Sequence, residues 1–185
     1  MEQLIDTHAL IITLDIDASL FTQLKHIQDA GFSVVELNNA EPAILTDVMH
    51  AYPNLRLGVS NIINTDQLEA VQKAGAHFGS SPGFMPSLIQ TANIYDFHYL
   101  PGVATPSEAM QAAALGCQHV RPLPATLSFC ALLNKYLPHL RLFPADVATQ
   151  AEAEKFLKLA SVSAVSLLNP KLEHMYMNID MCDTC

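Results

Sequence analysis

Eight short apolar runs, each of strand length, recur along this 185-residue chain at a fairly even spacing. Segments with helical periodicity lie between them, and Gly, Pro, Asn or Asp residues bound each run. The runs cover residues 9–16, 32–38, 55–62, 76–81, 97–102, 118–124, 140–146 and 162–169. This alternation predicts an α/β fold with a parallel sheet, and eight strands can close into a single (β/α)8 TIM barrel. An open, doubly wound sheet is the alternative, because periodicity alone does not show closure.

The length of the chain fits one domain with a full core, and we assign the barrel to residues 1–170. Two helix-like segments end in Ala-Gly, which places Gly31 and Gly75 at the left-handed position after a helix. Thr65 is the predicted N-cap of the second of these helices. Residues 171–185 form a Cys- and Met-rich tail. Only this tail follows the eighth run, so we expect the barrel to lack its last helix.

Charge and composition exclude several classes of partner. The chain has 18 Asp and Glu against 9 Lys and Arg, and the net charge of −9 disfavours nucleic acid and anionic membranes. The amino-terminal segment has no basic region and acquires acids within its apolar run, so we expect neither a signal peptide nor a membrane span. The four cysteines show no secretory pattern, and a cytoplasmic location is the expectation. The chain has no glycine-rich nucleotide motif, and we expect no cofactor and no metal in the barrel.

Polar side chains lie at the carboxyl ends of the predicted strands, where barrel enzymes place their active sites. The predicted ring consists of Asp15, Asp17, Glu36, Asn38, Asn39, Ser60, Asn61, Ser80, Ser81, Thr105, Arg121, Asp146 and Asn169. Arg121, in the sixth run, is its one positive charge. A guanidinium can hold a carboxylate through two parallel hydrogen bonds, so Arg121 is a candidate anion anchor.

Four stretches of the sequence resemble the 2-keto-3-deoxy-6-phosphogluconate (KDPG) / 4-hydroxy-2-oxoglutarate (KHG) aldolase family. They are AGFSVVELN (30–38), LGVSNIINTDQLEAVQKAGAHFGSSPG (57–83), YLPGVATPSEAMQAAALG (99–116) and HVRPLPA (119–125). The Ser-Pro-Gly at 81–83 and the Pro-Gly at 101–102 are the most specific elements. The resemblance implies a single-domain barrel, commonly a homotrimer, that cleaves 2-keto-4-hydroxy acids to pyruvate and an aldehyde.

The chemistry of this family uses four features, and the resemblance carries over only one of them. Glu36 matches the glutamate that transfers protons. The lysine whose amine condenses with the keto group corresponds to Arg121. The arginine that holds the substrate carboxylate falls near Ala40-Glu41. The two glycine turns that bind phosphate become residues 144–148 and 166–170.

Arg121 cannot replace the missing lysine, because a guanidinium stays protonated and its nitrogen lone pairs are delocalised. The six lysines lie in helical or terminal segments and do not supply another amine. We therefore expect no class I aldolase chemistry. The loss of the glycine turns and the negative charge of Asp146 also disfavour a phosphorylated substrate.

The candidate site has one catalytic residue and five binding residues. Glu36 is the candidate acid/base, and a small, unphosphorylated keto or carboxylic acid is the expected ligand. The candidate binding residues are Arg121, Asn61, Ser81, Asn38 and Asp146. The structural alternative is that Arg121 pairs with Glu36 or Asp146 and closes the pocket, while the Asn and Ser side chains only terminate strands.

Three functions are open at this point. The first is a divergent aldolase-like protein that binds a small acid, and the second is a non-catalytic, oligomeric binding or regulatory protein on the same barrel. The third is a metal- or redox-responsive module that uses the tail HMYMNIDMCDTC (174–185), whose soft ligands suit Cu(I) or Zn²⁺. A tail whose methionines cover an apolar barrel end or a neighbouring subunit is the structural alternative.

Overall fold

The computed structural model describes residues 10–171. Within this range nine strands alternate with seven helices, in agreement with the predicted α/β fold. The strands are β1 (Leu10–Leu14), β2 (Val34–Asn38), β3 (Arg56–Ser60), β4 (Phe78–Ser80), β5 (Tyr99–Leu100), β6 (Gly102–Val103), β7 (His119–Pro122), β8 (Arg141–Leu142) and β9 (Val165–Leu168). The helices are α1 (Leu20–Asp29), α2 (Pro42–Ala51), α3 (Thr65–Lys73), α4 (Pro86–Ile94), α5 (Pro106–Ala114), α6 (Leu127–Tyr136) and α7 (Gln150–Leu157).

The strands pair in parallel and form a curled, TIM-barrel-like sheet. Six of them pair in the order β5-β4-β3-β2-β1-β9, and three pair in the order β6-β7-β8. Single parallel bridges join Leu142 to Val162 and Val147 to Leu167, beside β8 and β9. Because all these strands are parallel, their carboxyl ends lie at one end of the sheet, where the candidate site residues fall.

The fifth predicted run forms two short strands instead of one. Pro101 separates β5 from β6, since its ring nitrogen has no hydrogen to donate to a neighbouring strand. The Pro101 carbonyl still accepts a hydrogen bond from the backbone N–H of Arg121 at 2.9 Å. Arg121, in the sixth predicted run, therefore lies on β7 and pairs in register with Gly102.

Helix ends follow the sequence with one correction. Gly31 and Gly75 have φ values of 87° and 93°, which confirms that both hold the left-handed position after a helix. The predicted N-cap Thr65 is wrong by one position, because Thr65 is the first residue of α3. Asn64 is the N-cap, and its side chain accepts a hydrogen bond from the backbone N–H of Gln67.

Two buried clusters make up the core. The larger one lies between the sheet and the helices. The smaller one lies on the other face of the strands and consists of Ile11, Val34, Phe78, Leu100, Phe143 and Ala164. Side chains alternate along a strand, so the residues two positions further on, Thr13, Glu36, Ser80 and Ser166, share the face of the smaller cluster. The smaller cluster therefore forms an apolar floor beneath a polar layer.

Some predictions fall outside the described residues. The predicted tail (171–185) lies beyond the described range from residue 172 onward, which includes its predicted soft metal site at 174–185, as does any helix that follows β9. Within residues 10–171, no helix combines the length and apolar character needed to cross a bilayer.

Candidate functional site

A buried ion pair occupies the centre of the polar layer. The Nη1 of Arg121, on β7, donates to the Oε2 of Glu36, on β2, at 2.8 Å. The two side chains are 5% and 0% exposed to solvent. Each charge is therefore removed from water and stabilised mainly by its partner, and loss of either partner would leave an uncompensated buried charge.

Hydroxyl groups complete the surroundings of the ion pair. Ser80 donates to Oε1 of Glu36 at 2.6 Å, and Thr13 donates to Oε2 at 3.1 Å. The Nη2 of Arg121 donates to the hydroxyl of Ser166 at 3.2 Å. The Nε of Arg121 is buried and has no hydrogen-bond partner among the described residues. Glu36 thus receives three hydrogen bonds, whereas Arg121 keeps unused N–H groups.

A cavity of about 210 Å³, here called the central cavity, opens above this layer at the carboxyl end of the sheet. Its polar lining residues are Thr13, Asn38, Ser60, Asn61, Ser80, Ser81, Arg121 and Asp146. All five candidate binding residues are in this set. Glu36 is not, because it lies beneath the cavity and is fully buried.

Ser81 stabilises the turn that follows β4. Its hydroxyl donates to the carbonyl of Gly83 at 2.6 Å and accepts from the hydroxyl of Tyr99 at 2.6 Å and the N–H of Gly102 at 3.4 Å. A Cβ atom on Gly102 would lie 2.5 Å from the backbone N of Gly83. The Ser-Pro-Gly and Pro-Gly motifs therefore pack directly against each other. Burial raises the pKa of Tyr99, so its phenol stays protonated and remains a donor to Ser81.

Asn38 belongs to a hydrogen-bonded rim that joins four strand ends. Its Nδ2 donates to Asp15 at 2.6 Å, and its Oδ1 accepts from the hydroxyl of Ser60 and, at 3.5 Å, from Asn61. The Nδ2 of Asn169 donates to the other oxygen of Asp15 at 2.7 Å, and the backbone N–H of Asp15 donates back to Asn169 at 3.0 Å. This rim fixes the ends of β1, β2, β3 and β9 relative to one another.

Backbone conformation explains part of the polar ring. Asn39, Asn61, Asp146 and Asn169 follow strands and have φ values of 52°, 61°, 58° and 43°. Asn and Asp tolerate this left-handed region better than other residues with a side chain, so these positions favour them for turn geometry alone. Asp146 is nevertheless exposed at the cavity and forms no ion pair with another described residue.

No lysine lines the central cavity. Lys25, Lys73, Lys135 and Lys155 lie on helices, Lys158 is the C-cap of α7, and Lys171 follows β9 beside Asp15 and Asp17. The two other arginines, Arg56 and Arg141, begin β3 and β8 and so lie at the opposite end of the sheet. Arg121 is the single cation among the residues that line the cavity.

Sequence reasoning missed two residues of the polar layer. Thr13 and Ser166 lie inside strands rather than at their ends, so the search for strand-end residues passed over them. The period-two alternation in the first and eighth runs could have identified them, because Thr13 follows Ile11 and Ser166 follows Ala164 on one face. The functional roles of Glu36, Arg121, Asn61, Ser81, Asn38 and Asp146 stay predictions.

Comparison with known proteins adds a family assignment to this geometry. The family model for KDPG and KHG aldolase matches residues 5–171. A probable 2-dehydro-3-deoxy-6-phosphogalactonate aldolase from Rhizobium meliloti is 30% identical over 146 residues, covering 76% of this chain and 62% of that relative. A 2-dehydro-3-deoxy-phosphogluconate aldolase from Pseudomonas aeruginosa is 29% identical over 121 residues, covering 64% of this chain and 55% of that relative. The matched parts span less than two thirds of these two relatives.

Solved structures share the fold. A KDPG aldolase from Legionella pneumophila, with pyruvate captured as a covalent carbinolamine intermediate, superposes with a TM-score of 0.83 at 21% identity, covering 89% of this chain and 84% of that chain. A cube-shaped protein cage, designed by fusing symmetric oligomeric domains, superposes with a TM-score of 0.79 at 20% identity, covering 91% and 67%. At these identities the likeness concerns the fold alone.

Proposed function

The chain belongs to the KDPG and KHG aldolase family, and from this premise we propose that it is a family member without imine chemistry, which binds a small, unphosphorylated ligand non-covalently. The observation that carries the proposal is the buried ion pair between Arg121 and Glu36. Arg121 stands where the family resemblance expects the imine-forming lysine, and a guanidinium cannot form an imine.

The surroundings of Glu36 favour binding over catalysis. An acid/base must come within hydrogen-bonding distance of the reacting group. Both oxygens of Glu36 already accept hydrogen bonds, from Ser80, Thr13 and Arg121, and its side chain is fully buried. The catalytic alternative, in which Glu36 transfers protons, requires this network to open when a ligand binds.

The central cavity also lacks features that favour phosphate. Asp146 places a carboxylate in the turn after β8, where the resemblance expects glycine amides. The resemblance suggests a keto or carboxylic acid held by Arg121, with Asn38, Asn61, Ser81 and Asp146 around it. Unused N–H groups on Arg121 support this ligand class, whereas the carboxylates of Asp146 and Asp15 oppose it.

The architecture and assembly extend the proposal. We infer that the strands close into a (β/α)8-type barrel that lacks its last helix, supported by bridges from Leu142 to Val162 and from Val147 to Leu167. We also infer a cytoplasmic homo-oligomer, a trimer by family resemblance. Ile94, Met110 and Tyr136 are 79%, 59% and 66% exposed on α4, α5 and α6, and a subunit interface would bury side chains of this kind. Light scattering after gel filtration measures the oligomer size.

Borohydride trapping tests the proposal. The protein is incubated with pyruvate, reduced with borohydride and examined by intact-mass spectrometry, with a lysine-dependent aldolase of the same family treated in parallel. We expect an adduct on the control enzyme and none on this protein. A stable mass increase that maps to any lysine, including Lys171 near the mouth, would contradict the absence of imine chemistry.

A further inference from the structure

Hydroxyl groups that line the central cavity donate hydrogen bonds to neighbouring protein side chains. Thr13 and Ser80 both hydrogen bond to the carboxylate of Glu36. An ionised carboxylate only accepts hydrogen bonds, so both hydroxyls must be donors in these contacts. Each hydroxyl oxygen therefore keeps only its lone pairs for anything that enters the cavity.

The same reasoning fixes the direction of the hydrogen bond from Ser60. The carboxylate of Asp15 accepts from the amide of Asn38, which identifies the atom near Asp15 as the Asn38 nitrogen. The other side-chain atom of Asn38 is then a carbonyl oxygen. Ser60 must donate to this oxygen, so Ser60 also presents only lone pairs to the cavity.

The cavity therefore offers several acceptors, and three of its hydroxyl groups can act only as acceptors toward a ligand. Thr13, Ser60 and Ser80 contribute hydroxyl lone pairs, and the exposed carboxylate of Asp146 contributes a charged acceptor without an ion-pair partner among the described residues. Ser81 contributes nothing, because its hydroxyl already makes three hydrogen bonds. The donors are the unused N–H groups of Arg121 and the side-chain N–H groups of Asn38 and Asn61 that are not used in the rim.

The charge balance separately disfavours an anionic ligand. Glu36 neutralises Arg121 at 2.8 Å, so the guanidinium adds no net positive charge to the cavity. Asp146 at the cavity and Asp15 on the rim are negative. A carboxylate ligand would meet this negative potential, whereas a neutral ligand would not.

We infer that the central cavity binds a short, neutral polyhydroxy compound, a polyol or a small sugar, in preference to a carboxylic acid. This inference rests on the proposed non-covalent function and specifies its ligand. Each hydroxyl of such a compound can donate to Thr13, Ser60, Ser80 or Asp146 and can also accept from Arg121. The volume of about 210 Å³ is below the roughly 300–1,000 Å³ typical of pockets for drug-sized ligands, which fits a short carbon chain.

Saturation-transfer NMR with two sets of probes tests the inference. The neutral probes are glycerol, erythritol and D-ribose, and the acidic probes are pyruvate and malonate. Polyols stabilise most proteins by exclusion from the surface, so a shift in melting temperature alone would not report binding. We expect saturation transfer to at least one neutral probe, with weaker or no transfer to the acids. Transfer to the acids alone, or to no neutral probe, would overturn the inference.

A matched pair of variants locates the binding. Asp146→Asn removes a charged acceptor from the cavity, and Asp96→Asn makes the same change at another exposed aspartate with positive φ, at the other end of the sheet. Asn tolerates this backbone conformation, so both variants should fold. We expect Asp146→Asn to weaken binding of the neutral probe about tenfold and to strengthen binding of the acids, and Asp96→Asn to change neither.

The outcomes separate this inference from the proposed function. Equal binding of the neutral probe by Asp146→Asn and the unchanged protein would overturn the inference and leave the non-covalent proposal standing. A borohydride-trapped pyruvate adduct on a lysine would overturn the non-covalent proposal itself. The trapping experiment does not depend on polyol binding, so the two failures can be told apart.

Discussion

The guanidinium of Arg121 donates to the carboxylate of Glu36 at 2.8 Å, although 85 positions separate the two residues in the sequence. The contact connects β7 to β2 across the concave face of the curled sheet. It lies above the apolar cluster that includes Phe78 and Phe143 and beneath the central cavity. The position at which the family resemblance expects an imine-forming amine is therefore occupied by one half of a buried, neutral pair.

Loss of Arg121 should strongly destabilise the protein. Arg121→Met leaves Glu36 buried without its counter-charge, and we expect the free energy of unfolding to fall by about 3–5 kcal/mol in urea titrations. The double variant with Glu36→Leu removes both charges and should recover most of this loss. Lys25→Met is the matched control, because it breaks the exposed Lys25–Asp29 pair and should cost less than about 1 kcal/mol. Unchanged stability of Arg121→Met, with loss of ligand binding, would instead indicate an anion anchor.

A lysine at position 121 should not be sufficient for aldolase activity. Arg121→Lys places an amine on β7 beside Glu36, but the carboxylate-binding arginine that the resemblance expects falls near Ala40-Glu41, where this chain has no arginine, and Asp146 opposes phosphate. We expect no efficient release of pyruvate from a 2-keto-4-hydroxy acid in a coupled assay of the variant. Strong cleavage by Arg121→Lys would mean that the rest of the pocket is more intact than this structure indicates.

The packing of the two glycine-containing motifs should be sensitive to a single methyl group. A Cβ on Gly102 would lie 2.5–2.6 Å from backbone atoms of Ser81, Pro82 and Gly83. Backbone cannot yield as a flexible side chain does, so Gly102→Ala should destabilise the protein by about 1–3 kcal/mol. Gly83→Ala is the control, because a Cβ there meets nothing within 4 Å. Similar melting temperatures for the two variants would contradict this packing.

Stability should fall at alkaline pH because of one buried thiol, Cys130, and one partly buried thiol, Cys117. Burial raises the pKa of Cys117 from 9.0 to about 11 and that of Cys130 from 9.0 to about 12. Above the ordinary thiol pKa the unfolded chain releases protons that the folded protein retains, so unfolding becomes more favourable as pH rises from about 9 to 11. Urea titrations across this range measure the slope. Cys130→Ala should make the free energy of unfolding fall less steeply with pH, whatever its effect on stability at neutral pH. If the dependence on pH is unchanged, other groups cause the loss of stability.

Local patterns were sufficient to predict the fold class, the helix ends at Gly31 and Gly75 and the end of the sheet that carries the polar residues. Each of these features depends on the spacing of apolar residues or on the backbone preference of single residues, and both can be read from the sequence. The predicted strand at 97–102 was only partly right, because Pro101 divides it into β5 and β6. The N-cap of α3 is Asn64 rather than Thr65, since two adjacent side chains could both cap the helix.

By family resemblance, the sequence alone places Arg121 where the family has its imine-forming lysine, and from this residue we predict that imine chemistry is absent. It left two partners open for Arg121, Glu36 and Asp146. Only the tertiary structure decided between them. Alternation along β2 directs Glu36 to the concave face, whereas the positive φ of Asp146 belongs to a turn that leaves its carboxylate exposed. The choice depends on how distant strands pair and curl, and no local pattern contains that information.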